Sequence, residues 1–562
     1  MKHIIFSLLS VALLFSACSK DDITTTTDTT SGATHGGSSD TTSTTNYDRT
    51  VSIVFSTSGN ASVSGTGDNV SASVSGNDVT IRNTGDEKVM YKLSGTTTDG
   101  FLKIYSGKKQ GITLNSVTIN NQRGAAINIQ GLEETPSKGK RVDVVLNGSS
   151  TLADGSSYTL TPATEDEKAT LFSEGQIVFS GNGTLTVNAT GKAGITSDDW
   201  LGFNAGNIRV TSSAGNGVRG KDYILVSGGT LEINVSADGK KGMSSDSLIR
   251  FEGGETTITL TGNTVVESGD TNRSNGVKAD QLFEMNNGTL TITNSGKGGK
   301  GISCDGKGFF RGGTVNITVT GANFGSSSGG SHGPGGGWPG RSSNNSVGAK
   351  GIKCDGDIEI SGGVITVKAT NHEGIETKGT LTITGGETYS QSGDDAINSA
   401  SNMTITGGYV CAYSTGNDGL DANGNLYIQG GLVYAIGKSS PEMAIDANTE
   451  GGYKLYVQGG TIIAIGSLEN GALLSQTCYK ASTWSKNAWY SITVGDNTYA
   501  FKTPSSGGSG LIVSGSEQPS VKSGVTAEGG TSRFNGMFLE GATIDGGSNV
   551  SLSQYSGGGG WW

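Results

Sequence analysis

The chain has 562 residues, of which 94 are Gly and only 7 Pro, with 16% charged residues and a formal net charge of −11. That composition, with a mean hydropathy of −0.25 and a pI near 5.0, excludes a coiled coil, a helical bundle and a polytopic membrane protein, and its acidity argues against nucleic acid as a partner. It fits many short strands joined by Gly turns, and five Cys are too few for a disulfide-dense scaffold.

At the N-terminus, Lys2 and His3 precede an apolar run from Ile4 to Phe15. The run is too short to span a bilayer and suits the core of a signal peptide. It ends in Leu14-Phe15-Ser16-Ala17-Cys18, which resembles a lipobox, so residues 1–17 are expected to be a signal peptide and Cys18 a lipidated N-terminus. Ser19-Lys20-Asp21-Asp22 resembles the acidic signal that directs Bacteroidota lipoproteins to the outer leaflet of the outer membrane. The resemblance implies an outer membrane lipid anchor on the cell surface, facing outward. Residues 18–48, nearly all Thr, Ser, Gly and Asp, hold too little apolar surface to offset their ordering entropy and read as a flexible stalk.

A unit of about 23 residues then recurs, each copy opening Gly-apolar-x-small-polar. Copies start at Gly194, Gly217, Gly242, Gly276, Gly301, Gly351, Gly374, Ala396, Gly419 and Ala444, with two longer steps that mark insertions. Each unit continues with alternating apolar residues, a Gly-Gly corner and another alternating run, as in Ile358-Glu359-Ile360-Ser361-Gly362-Gly363-Val364-Ile365-Thr366-Val367. Apolar residues at every second position point inward, and Gly-Gly supplies the positive φ of a sharp corner. The pattern predicts an all-β, single-stranded right-handed parallel β-helix, a solenoid of three sheets with β-rich end caps. Its parts are an N-terminal cap and first strands over 49–110, the helix over 111–483 with an insertion near 322–347, capping strands over 484–545 and a Gly-rich tail over 546–562.

Aligned copies place polar residues in columns. One holds Glu373, Asp395 and Asp418; a second holds Glu376, Asn398, Asp421 and Asp446; a third holds His372, Asp394, Asn417 and Glu442. Carboxylates stacked ~5 Å apart repel by roughly 1 kcal/mol in water and ~3 kcal/mol at an effective dielectric near 20. Oxygen ligands without Cys or clustered His suit Ca²⁺. The expected calcium ligands are Glu373, Glu376, Asp394, Asp395, Asn398, Asn417, Asp418, Asp421 and Asp446; the alternative is turn chemistry of Asp and Asn. Upstream the columns turn basic. Arg219, Lys278 and Lys353 stand where Glu376 stands later, and Lys241, Lys300 and Lys350 where Glu373 does. Such a stripe holds a uronate polymer, or is a Lys–Asp ladder with Asp246, Asp280, Asp305 and Asp355. Trp338, in the Gly-rich insertion, is either a platform for a sugar face or incidental. Cys304 and Cys354 occupy equivalent inward positions, as a disulfide or as two thiols.

The repeat, the strand-rich lead-in and the run Asn417-Asp418-Gly419-Leu420-Asp421-Ala422-Asn423-Gly424-Asn425 resemble the Cthe-type carbohydrate-binding β-helix family over roughly residues 50–545. The resemblance implies a pectate-lyase-like fold, carbohydrate binding and calcium. On it, the expected function is a surface lipoprotein that binds an acidic, pectic or plant-type polysaccharide, with Trp338, Lys278, Lys353 and Arg219 as glycan contacts. A calcium-dependent uronate lyase and a structural adhesin or spacer are the alternatives.

Overall fold

Alternation of apolar and polar residues dictates the strands. In Thr230–Val235, Leu231, Ile233 and Val235 are buried while Glu232 and Asn234 lie at the surface. A computed structural model describes residues 46–132, 141–159, 162, 165–325 and 346–557. The described strands all belong to one unit, which begins at Tyr47. Among the described residues there is no α-helix, and the single helical element is the 3₁₀ turn Phe534–Gly536.

The expected single-stranded β-helix of three sheets is overturned by the way the strands join. They form one 29-stranded sheet, one 15-stranded sheet, a six-stranded sheet and a two-stranded hairpin. The cause lies at the supposed corners. The strands Leu248–Leu260, Leu282–Asn294, Leu426–Ile436 and Leu455–Ile465 run through their glycines without ending. Gly254, at φ 73°, bends its strand without ending it, and pairing resumes at Glu255. A Cβ there would lie 2.8 Å from the Gly228 carbonyl carbon, and the pairing shifts register beside it, as at a β-bulge. Two of the three expected faces are thereby one wrapped sheet. The body is a barrel-like enclosure of parallel strands with further sheets set against it, not a solenoid of three separate sheets.

Its core is continuous from Val51 to Ile512. Phe251, Phe283 and Phe310 follow one another within it as tilted rings, with centroids 6.0 and 5.4 Å apart. A second apolar cluster, with Tyr434, Phe501, Phe534 and Phe538, lies between the parallel strands and the six-stranded antiparallel sheet. Cys304 and Cys354 pair in register as buried free thiols.

The 15-stranded sheet positions the site. Its parallel register sets Arg219, Ser244, Lys278, Ser303, Lys353, Glu376, Asn398, Asp421 and Asp446 in one row, each residue beside the next. A second row, one residue before the Gly or Ala of each copy, runs through Lys350, Glu373, Asp395 and Asp418; each following Gly or Ala donates its amide to the next member's carbonyl. The step from 242 to 276 is lengthened by the hairpin Val265–Glu267/Asp270–Asn272.

Candidate functional site

Two connected features occupy these rows, a basic groove and, beyond Glu376, a ladder of carboxylates. The groove encloses about 470 Å³ and is lined by Lys241, Arg273, Lys278, Lys300, Lys350, Lys353 and Lys378, with Asp305, Asp355 and Glu376 as its acids. Lys241 continues it into a second groove of about 560 Å³ that holds Lys168, Lys192, Arg219 and Lys240.

The cations differ in what neutralises them. Lys278 contacts Asp280 at 2.7 Å and Asp305 at 2.6 Å. Burial works against its charge, but these two carboxylates outweigh that and hold its pKa above the usual lysine value. Lys353 pairs with Asp355, and Arg219 with Asp246 at 2.8 Å. Lys350 is shared between Glu376 and Glu373, the latter at 3.2 Å. By contrast Lys241, Arg273 and Lys300 form no ion pair with a carboxylate among the described residues. Lys241 donates to the Gly239 carbonyl at 3.2 Å. Lys300 is 5% exposed, and burial, with Arg273, Lys350 and Lys353 nearby, pushes its pKa down to about 7. Burial and the neighbouring cations also lower Lys241. A buried ammonium among like charges is costly unless a counter-anion joins it.

The nine expected metal ligands fall into three groups. Glu376 is held by Lys350 and Lys378; burial opposes its charge, yet these two ammonium groups hold its pKa below the usual range. Glu373 and Asp394 gather at His372, and Asn417 donates to Asp394 at 3.0 Å. The third group is the ladder itself. Asn398 donates to Asp395 at 3.2 Å and to Asp421, and the Asp418 amide donates to Asp395 at 3.1 Å. Burial, then the charge of Asp421, pushes Asp395 up to about 8. Burial, then Asp421, Glu442 and Glu469, raises Asp418 to about 7, and burial raises Asp421 to about 6. Asp446, at the end of the row, is pushed up to about 9 by burial and by a hydrogen bond shared with Glu469. These all-oxygen donors, short of positive charge, fit a hard cation.

Trp338 and Cys18 lie outside the described residues. Sequence reasoning named Lys241 and Lys300 only as a column, and it missed Arg273. Arg273 follows the inserted hairpin directly, so the long step in the repeat was the signal that could have found it.

Three comparisons bear on identity. A family model described as "Carbohydrate-binding domain-containing protein" matches residues 75–396. A carbohydrate-binding domain-containing protein of Acetivibrio thermocellus is 32% identical over 124 residues, 22% of this chain and 42% of that protein; the match thus spans less than half the relative's length. Among solved structures, the polysaccharide lyase-like protein from C. thermocellum, a gadolinium derivative, superposes with a TM-score of 0.37 at 24% identity. That superposition covers 48% of this chain and 97% of the other.

Proposed function

The chain belongs to the carbohydrate-binding domain-containing protein family, and from that premise we propose that its ligand is an anionic, uronate-bearing polysaccharide lying along the basic groove. The observation that carries this reading is the trio Lys241, Arg273 and Lys300, cations of one groove with no carboxylate partner among the described residues. A uronate chain supplies carboxylates at regular intervals and would complete them with charge-assisted hydrogen bonds. Polygalacturonate is expected to bind much more tightly than a neutral β-glucan, and binding should weaken steeply with added salt, as read by calorimetry across a salt series. Equal, salt-insensitive binding of both polymers would sink the proposal.

Calcium is part of the same proposal. Asp395, Asn398, Asp418 and Asp421 would hold it, supplying oxygen ligands and gaining the positive charge their burial lacks. Glu373 and Glu376 already have lysine partners, and Asp446 shares a hydrogen bond with Glu469.

One observation favours a second reading, a uronate lyase. A lysine whose pKa falls to about 7 is partly neutral at physiological pH and could take the proton beside a uronate carboxylate. Ultraviolet absorbance from unsaturated uronate, growing with time and lost in Lys300→Met, would favour turnover; its absence leaves a binding protein.

The lipid anchor at Cys18, with the outer membrane as its location, is also proposed, on the resemblance of Leu14–Cys18 to a lipobox. Cys18→Ser should move the protein from the membrane fraction to the soluble one. Retention of both membrane association and lipid label by the variant would rule the anchor out.

A further inference from the structure

His372, Glu373 and Asp394 lie beside the carboxylate ladder but outside it chemically. His372 is the only histidine among the described residues. It sits with Glu373 in the turn just before the strand Ile375–Thr377. The Gly374 amide donates to the Asp395 carbonyl at 3.1 Å, and this parallel pairing brings Asp394 alongside. One donor atom from each side chain lies within 4.8 Å of the other two. Nδ1 of His372 is 3.2 Å from an Asp394 oxygen and in contact with Oε2 of Glu373.

The orientation of each group is set. The Glu373 amide lies 3.1 Å from Nδ1, and the same nitrogen faces an oxygen of each carboxylate, so the position between them takes either a proton or, in its place, a metal ion. Asn417 occupies Oδ1 of Asp394 and leaves Oδ2 toward the imidazole. Glu373 is only 9% exposed, and its Oε2 is buried and accepts no hydrogen bond; the ammonium of Lys350 lies 3.2 Å from it and also pairs with Glu376. Three donor atoms therefore converge, and the ammonium in contact with them, that of Lys350, is shared with Glu376.

We propose that His372, Glu373 and Asp394 form a binding site for a borderline divalent transition metal, zinc or its chemical neighbours, separate from any calcium site in the ladder. Imidazole nitrogen with two carboxylates suits such ions, whereas Ca²⁺ takes six to eight oxygens. Three protein ligands leave a fourth position for water or a ligand carboxylate, as in open zinc sites. Asn417 acts as the outer partner that orients Asp394, and Lys350 keeps Glu376 when the metal takes Glu373. The site does not depend on the ligand of the groove being a glycan.

The test uses the untagged full chain, stripped with chelator and titrated with Zn²⁺ alone by calorimetry in millimolar Ca²⁺. One equivalent should bind. His372→Ala should lose at least about tenfold in Zn²⁺ affinity, and Asp394→Asn a comparable amount, while D418N/D421N should keep it. Melting curves confirm that the variants fold, and Asp394→Asn stands in if His372→Ala does not. Polygalacturonate binding by the same variants separates failure of this site from failure of the glycan reading. Unchanged Zn²⁺ affinity in both His372→Ala and Asp394→Asn, full displacement of Zn²⁺ by Ca²⁺, or a thiolate absorption band on Co²⁺ substitution would overturn the proposal.

Discussion

Replacing Lys300 by Met together with Arg273 by Ala is expected to weaken polygalacturonate binding at least about a hundredfold. Each substitution removes a charge-assisted hydrogen bond worth ~1.5–3 kcal/mol, so two remove ~3–6 kcal/mol. Lys278→Ala should cost less, because Lys278 already donates to Asp280, Asp305 and the Ala279 carbonyl and has no donor left for the polymer, so that only the repulsion from the carboxylates it leaves opposes binding. Acidity sharpens the test. Lys300 carries its proton below about 7 and loses it above. Wild-type affinity should therefore fall as pH rises through that value, by up to about tenfold per unit above it, while the polymer's carboxylates remain ionised throughout. K300M should show no such dependence. Met fills the buried position without a charge to desolvate, so the variant should melt no lower than wild type. A K300M/R273A protein that melts normally and binds the polymer as wild type does would remove the groove from the function.

Chelation should destabilise the protein, and more at high pH than at low. The pKa values of Asp395, Asp418 and Asp421 are raised in the folded chain, to about 8, 7 and 6. Between the unfolded carboxylate value near 4 and those raised values, the folded state holds protons that the unfolded state has released. Stability in EDTA must then fall as pH rises across that window. Ca²⁺ binds the ionised carboxylates, so its stabilisation grows over the same window and opposes the fall. At a hundred times the dissociation constant, mass action contributes about 2.7 kcal/mol. Mg²⁺ should restore less, since it demands smaller octahedral geometry and releases water reluctantly. D418N/D421N should remove most of the Ca²⁺ response while relieving repulsion, leaving the chelated variant as stable as chelated wild type or more so. Identical melting temperatures in EDTA and in millimolar Ca²⁺ at pH 8, with no calcium by elemental analysis, would reduce the ladder to surface turn chemistry.

The row from Arg219 to Asp446 was legible from sequence because parallel in-register pairing turns a repeat directly into a column: the side chain at each copy's third position must stand beside the next. The change from basic to acidic along that row is likewise a property of the letters alone, as is the all-β character that alternation and Gly content demand. How each charge is satisfied was not legible. Lys300 and Lys350 occupy the same column, yet Lys350 reaches Glu373 and Glu376 while Lys300 is buried with no carboxylate partner among the described residues, because what each side chain meets is set by the neighbouring copies and not by its own place in the repeat. Arg273 belongs to no column; it lines the groove from the residue directly after the inserted hairpin at 265–272, a position that the repeat does not encode. The division of nine expected metal ligands into a lysine-held pair partner, a histidine cluster and an oxygen ladder is of the same kind. It depends on distances of a few ångströms between side chains on adjacent strands, which no spacing in the chain encodes. The sheet count, too, was a tertiary decision. A Gly-Gly pair permits a positive φ, but whether the strand ends there or bends and continues differs from copy to copy: it continues through Gly254, Gly288, Gly431 and Gly460 and ends at Gly363 and Gly386, because it depends on the hydrogen bonds that neighbouring copies exchange on either side of the bend, which the repeat itself does not encode.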